Sequence, residues 1–150
     1  MRESPKYISL GLRLGLLDGN QIQDWVTEQI RTSDSPPDMI LDLAYLDTSN
    51  LKEMYSKLQA MPDDRDDFDA LRSLLSNVRN TQLKDLDFCK QLAKDLYAIY
   101  ADNDYKCPDY FNEIAFLDDA FCLAIQKTYG SLEEAHKGLT EFVGSFRQNC

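Results

Sequence analysis

Apolar residues recur at intervals of three and four along almost the whole chain, and no segment sustains the period of two that marks a strand. The pattern predicts an all-α protein. After Pro5, a first segment carries Tyr7, Ile8, Leu10, Leu12, Leu14, Leu16 and Leu17, with Gly11 and Gly15 as weak helix formers inside it. Asp18-Gly19-Asn20 reads as a turn capped by Asn20, and Ile22, Trp25, Val26 and Ile30 fall on one face of a second helix. A third is expected from Ser35-Pro36-Pro37-Asp38, with Ser35 as N-cap, Pro36 at the first helical position and an apolar stripe of Met39, Ile40, Leu43, Ala44 and Leu46.

A fourth helix follows Thr48-Ser49-Asn50, with Asn50 and Glu53 at capping-box spacing and Leu51, Met54, Tyr55 and Leu58 facing inward. Asp63 and Asp64 precede a fifth, which buries Phe68, Leu71, Leu74, Leu75 and Val78 and ends at Asn80-Thr81. A longer sixth presents Leu83, Leu86, Cys89, Leu92, Ala93, Leu96, Ile99 and Tyr100. Pro108 opens a seventh that runs to Gly130, and Ser131 with Glu134 caps an eighth carrying Leu132, Ala135, Leu139, Phe142, Val143 and Phe146. The seventh has little polar face, since Ile114–Leu117 and Ala120–Ile125 are apolar throughout, so its expected place is the centre. Short helices with short connections predict an irregular compact bundle of about seven or eight helices in one domain, 1–150.

Composition agrees with a folded chain: 150 residues suit one domain, with 43% hydrophobic and 28% charged residues. No stretch reaches the length of an apolar membrane span, and the start lacks the continuous apolar segment of a signal peptide, so the expected location is the cytoplasm. Cys89, Cys107, Cys122 and Cys150 form no C-x-x-C pair and His136 is the single histidine, so neither a zinc site nor a redox motif is expected. Cys89 and Cys122 occupy apolar helical positions and read as small core residues; Cys150, the last residue, is not a prenylation signal.

Candidate chemistry is sparse. Gly11, Gly15 and Gly19 match no phosphate-binding loop, and Glu133 with His136 supplies only half of a di-iron element. No nucleophile stands in a recognisable motif with His136. In residues 102–113, Asp102, Asp104 and Glu113 fall at positions 1, 3 and 12 of a calcium loop, but Lys106 and Cys107 fill positions 5 and 6, where a ligand and a glycine are needed. No metal, cofactor or catalytic residue is expected. Asp118 and Asp119 lie in the most apolar helix, about 100° apart, which rules against a shared-proton dyad. At least one must find a donor or a gap to water; a carboxylate opening into a small cleft is the enzymatic alternative.

Charge is the departure from an ordinary domain: 26 acidic residues against 16 Lys+Arg give −10. Residues 63–69 hold Asp63, Asp64, Asp66, Asp67 and Asp69, and a second cluster sets Asp102, Asp104 and Asp109 beside Tyr105 and Tyr110. Such a surface repels nucleic acid and anionic membrane and favours a basic protein partner, with tyrosines as interface anchors. A solvated face with helix caps is the plain alternative.

Residues 15–30 (GLLDGNQIQDWVTEQI), then 36–46 (PPDMILDLAYL) and the leucine-bearing helix at 51–58, resemble small all-helical bacterial proteins, some of which accompany polymorphic or contact-dependent growth inhibition toxins as immunity proteins. The resemblance implies an acidic cytoplasmic protein that binds and neutralises a cognate toxin, often a basic nuclease, and it carries over no binding residue. Together with the charge, it sets the expected function as a non-enzymatic toxin inhibitor acting through the ten clustered residues just named. The alternative is a helical adaptor whose apolar groove takes a partner helix.

Overall fold

The protein is all-α. A computed structural model describes residues 4–147, as α1 (Pro5–Arg13), α2 (Gly19–Thr32), α3 (Asp38–Ala44), α4 (Leu51–Ala60), α5 (Asp67–Ser76), α6 (Asn80–Leu83), α7 (Leu86–Asp102), a 3-10 turn (Asp109–Phe111), α8 (Ile114–Ile125) and α9 (Leu132–Arg147). Among the described residues no helix is long and apolar enough to cross a membrane. Contacts between helices gather into two units, Met1–Asp66 and Asp67–Cys150.

In the first unit α1 packs on α4, α2 on α3 and α3 on α4. Tyr7, Ile8, Leu10, Ile22, Trp25, Val26, Leu43, Met54 and Leu58 make its core. Local chemistry moves two boundaries from where the sequence predicts them and leaves a third without its expected cap. Asp18 rather than Asn20 caps α2, in a capping box with Gln21, and Gly19 is buried as the first helical residue. Helix α3 starts after Pro37, not at Pro36, because a proline drives the residue before it out of the helical region. Pro36 precedes Pro37, so it cannot take the first helical position, and Ser35 is left too early in the chain to cap. Asn50 precedes α4 but makes no side-chain cap, since its backbone (φ −88°, ψ 63°) lies outside the extended region that aims a capping side chain. The far end of α3 is closed from α2: Gln23 Nε2 donates to the Leu43 and Leu46 carbonyls, each at 2.9 Å.

In the second unit α8 packs on α7 and α9, α9 also packs on α5 and α7, and α6 on α7. Phe111, from the 3-10 turn, is fully buried at its centre. Its ring centroid lies 5.2 Å from Phe68, 5.0 Å from Tyr110, 6.0 Å from Phe142 and 5.0 Å from Phe146. The stretch expected as one sixth helix is broken before Leu86, because the Asp85 carboxylate takes the Asp87 and Phe88 amides and caps α7. Leu83 therefore sits in the separate one-turn α6, and its carbonyl accepts from the Cys89 thiol and the His136 ring.

Two expectations about α8 are corrected. It begins after the 3-10 turn and stops at Ile125, with Lys127 in the left-handed region at φ 57°. Nor is it enclosed: Ile114, Leu117, Phe121 and Ala124 are buried, whereas Phe116, Cys122, Leu123 and Ile125 are exposed. Apolar composition states what a helix can bury, and the neighbours decide how much is covered; α7 and α9 cover one face. Cys122 is thus not a core residue, while Cys89 is, and burial pushes its thiol up to about 11. Cys150 lies outside the described residues.

Each unit has a position where one substitution tests the packing. A Cβ on Gly19 would overlap the Thr48 carbonyl oxygen and lie 2.7 Å from its carbon, so Gly19→Ala is expected to lose about 1–3 kcal/mol in urea unfolding. Phe111→Ala empties the ring cluster, and the same measurement should show a loss of about 3–5 kcal/mol.

Candidate functional site

In the first unit, Asp63 is a structural residue. Its Oδ2 accepts the Lys6 backbone N–H at 2.9 Å and its Oδ1 the Arg65 N–H at 3.0 Å, while Lys6 Nζ donates to the Arg65 carbonyl at 2.6 Å. The first turn of α1 is thereby tied to the loop 61–66. Burial pushes this carboxyl up, but the amide bonds from Arg65 and Lys6, the Ser4 hydroxyl and the Lys6 charge together hold it below its ordinary value. Asp64 and Asp66 are exposed.

In the second unit, Asn103 joins two of the predicted groups. Its Nδ2 donates to Asp67 Oδ2 at 3.1 Å and to the Ile99 carbonyl at 2.8 Å, which brings the start of α5 against the end of α7. Asp67 is half-buried by this contact; Asp69, Asp102, Asp104 and Asp109 are exposed. Arg72, one turn along α5, lies 5.3 Å from the centre of the Tyr110 ring, which ties α5 to the 3-10 turn as well. Asp67, Asp69, Asp102, Asp104, Tyr105, Asp109 and Tyr110 thus share one neighbourhood, though one ring face of Tyr110 already meets a cation of its own chain. Asp63, Asp64 and Asp66 belong to the first unit.

The loop after α7 holds its side chains in an uncommon backbone. Asp104 and Tyr105 both adopt left-handed conformations, φ 59° and 58°, which non-glycine residues rarely enter. The Tyr105 N–H bonds to the Tyr100 carbonyl at 3.0 Å, and the Tyr105 ring lies 5.6 Å from Tyr100 and 6.4 Å from Tyr97. Burial first, and then the charges of nearby groups, Tyr105 and Asp119 among them, push the Tyr97 phenol up.

Asp118 and Asp119 both reach water. Asp119 is exposed, and half-buried Asp118 lines a cleft of about 350 Å³ between α7 and α8, with Lys90, Lys94, Phe121 and Ile125. The first unit has a larger cleft, about 530 Å³, walled by Trp25, Met39, Ile40 and Met61 with Gln29 and Asp34 at its polar side. Sequence reasoning passed over the tyrosine cluster and both clefts. Tyr97 and Tyr100 stand at a helical spacing that would have paired them, but the turn that returns Tyr105 onto them depends on left-handed residues that no glycine announces.

A family model described as an uncharacterized protein conserved in bacteria (DUF2247) matches residues 1–117, and the chain belongs to that family. No curated protein and no solved structure matches.

Because the folded Asp63 carboxyl lies below its unfolded value, its contribution to stability is full above that unfolded value, about 3.9, and is lost as pH falls through the folded one. Asp63→Asn is expected to destabilise the protein at pH 7 and to weaken the decline in stability between pH 5 and pH 3, read by urea unfolding across that range.

Proposed function

We propose that this member of an uncharacterised bacterial family is a non-enzymatic immunity protein, acting in the cytoplasm by binding and neutralising a basic cognate toxin domain. The observation that carries the reading is in the second unit: Asn103 holds the start of α5 against the end of α7, Arg72 meets the Tyr110 ring, and Asp69, Asp102, Asp104, Asp109, Tyr105 and Tyr110 on these elements are all exposed. Carboxylates so placed attract a basic partner over several ångströms and speed its approach, while tyrosines supply apolar contact area at low entropic cost. Asp64 and Asp66 add negative charge in the first unit. Asp63 orders the loop 61–66 of the first unit through the Lys6 and Arg65 amides, and Asp67 orders the start of α5 in the second through Asn103. The likeness of residues 15–58 to helical immunity proteins supports the same reading.

The neighbouring gene is expected to encode the toxin: co-expression of this chain with that product should restore growth, and their association measured by stopped flow should slow steeply as salt is raised. Replacing Asp69, Asp104 and Asp109 together by Asn should slow association about tenfold at low salt with little change in dissociation. Absence of rescue, or an association rate indifferent to both salt and the triple substitution, overturns the reading.

A further inference from the structure

The cleft of the first unit is chemistry that the acidic neighbourhood does not use. At about 530 Å³ it falls within the ~300–1,000 Å³ of pockets that hold small molecules. Trp25 and Gln29 stand one turn apart on α2, Asp34 follows the end of that helix, Met39 and Ile40 come from α3, and Met61 follows α4. Trp25, Ile40 and Met61 are buried and Met39 is 39% exposed, so the apolar wall is anchored in the core. Two polar side chains of the wall are uncommitted: among the described residues, neither the Gln29 side-chain amide nor the Asp34 carboxylate makes a hydrogen bond or an ion pair. The Thr32 hydroxyl, also in the wall, by contrast donates to the Glu28 carbonyl at 2.8 Å.

Charge and donors select the occupant. An anion is held by basic side chains and backbone N–H groups, yet no residue lining the cleft is basic, and Pro5, Pro37 and Pro62 among them have no N–H. The segments around it add acids in pairs: Asp24 and Glu28 on α2, Asp38 and Asp42 on α3, Asp63 and Asp64 after α4. The neighbouring bases are drawn to partners of their own. Arg31 meets Glu28 at 3.1 Å, Lys57 meets Glu53 at 4.0 Å, and Lys6 donates to the Arg65 carbonyl at 2.6 Å with the Asp63 charge close by. Arg65 itself stands between Asp64 and Asp66 in the chain. An apolar wall with acceptors at its polar side and no basic group suits a ligand that is apolar along its body and positive at one end.

We propose that this cleft binds a small organic amine in its protonated form. The apolar body of the amine lies along Trp25, Met39, Ile40 and Met61, and its ammonium donates to the Asp34 carboxylate and the Gln29 amide oxygen. This goes beyond the immunity reading, because it uses the other unit and a small molecule in place of a protein.

The test titrates the full chain with decylamine, decanol and decanoate, which share one alkyl chain and are positive, neutral and negative at pH 7. Calorimetry is expected to show one decylamine site per chain, and the emission of Trp25, the sole tryptophan, should change with the same midpoint. Decanol should bind about threefold to tenfold more weakly, and decanoate more weakly still. Asp34→Asn is expected to bring decylamine down to the affinity of decanol while leaving decanol unchanged, and Met39→Ser to weaken both at least about threefold. The variant with Asp69, Asp104 and Asp109 replaced by Asn should keep all of these affinities, which separates a built site from adsorption to an acidic surface. Asp34 and Met39 are exposed, and unchanged thermal unfolding establishes that the variants fold. No saturable binding by the wild type, decanoate bound as tightly as decylamine, decylamine affinity undiminished in Asp34→Asn or in Met39→Ser, or binding lost in the triple variant overturns the proposal. Failure of the neighbouring gene product to bind, with amine binding intact, counts against the immunity reading alone.

Discussion

One buried ring, Phe111, fixes where the surface chemistry of the second unit emerges. It belongs to a turn of three residues with two backbone hydrogen bonds, from Phe111 to the Pro108 carbonyl and from Asn112 to the Asp109 carbonyl, and it is locked by Phe68 from α5 and by Phe142 and Phe146 from α9. A ring packed on several sides cannot shift without opening a cavity, so the residues beside it in sequence are as fixed as the core. Asp109 and Tyr110 come immediately before it, and Ile114, the first residue of α8, three places after. The same cluster anchors the first turns of α5, which carry Asp67, Asp69 and Arg72. Acidic surface and apolar helix face are therefore both consequences of how one aromatic residue is buried.

Aspartate, rather than glutamate, suits this arrangement because its short side chain works close to the backbone. Asp18 and Asp85 cap helices, Asp63 bridges two backbone amides, and Asp67 receives the Asn103 amide. Beside Asp85, Asp63 and Asp67 a further aspartate is exposed to water: Asp87, Asp64 and Asp69. After α7 the ordering goes further, for Asp104 and Tyr105 sit in a conformation that disfavours L-residues by about 1–2 kcal/mol each. The two ring contacts of Tyr105, worth about 0.5–1.5 kcal/mol apiece, are of the size needed to offset it. A loop held in this way presents its carboxylates with less conformational freedom to lose on binding.

The helices were legible in the sequence because each needs one covered face, and a covered face leaves a period of three and four. Their ends were less so, because a boundary depends on which of several adjacent polar residues wins a backbone amide. Asp18 won over Asn20, and Pro37 displaced Ser35 through a restriction acting one residue upstream of each proline. The acidic residues were legible as a group, yet composition does not separate a carboxylate facing water from one turned inward to bind Lys6 or Asn103. The largest departure was α8. Its run of apolar residues reads as a buried helix, and only the placement of α7 and α9 reveals that Phe116, Cys122, Leu123 and Ile125 stay exposed.

Exposed apolar and aromatic side chains change how the charge of the chain is to be weighed. A surface of −10 attracts any basic protein, and attraction of that kind is fast, salt-sensitive and poorly selective. Selectivity comes from contacts that only one shape can fill, and large apolar side chains with a carboxylate set between them impose both a spacing and a sign. In the second unit Tyr105 packs on Tyr97 and Tyr100 and follows Asp104 in the chain, which sets an ordered ring next to a carboxylate. On the reading proposed for this protein, the aspartates govern how quickly a basic partner arrives, and the ordered tyrosines among them govern which one stays. A negative charge alone is common to many proteins; its combination with exposed aromatic rings held in place gives the partner a definite geometry.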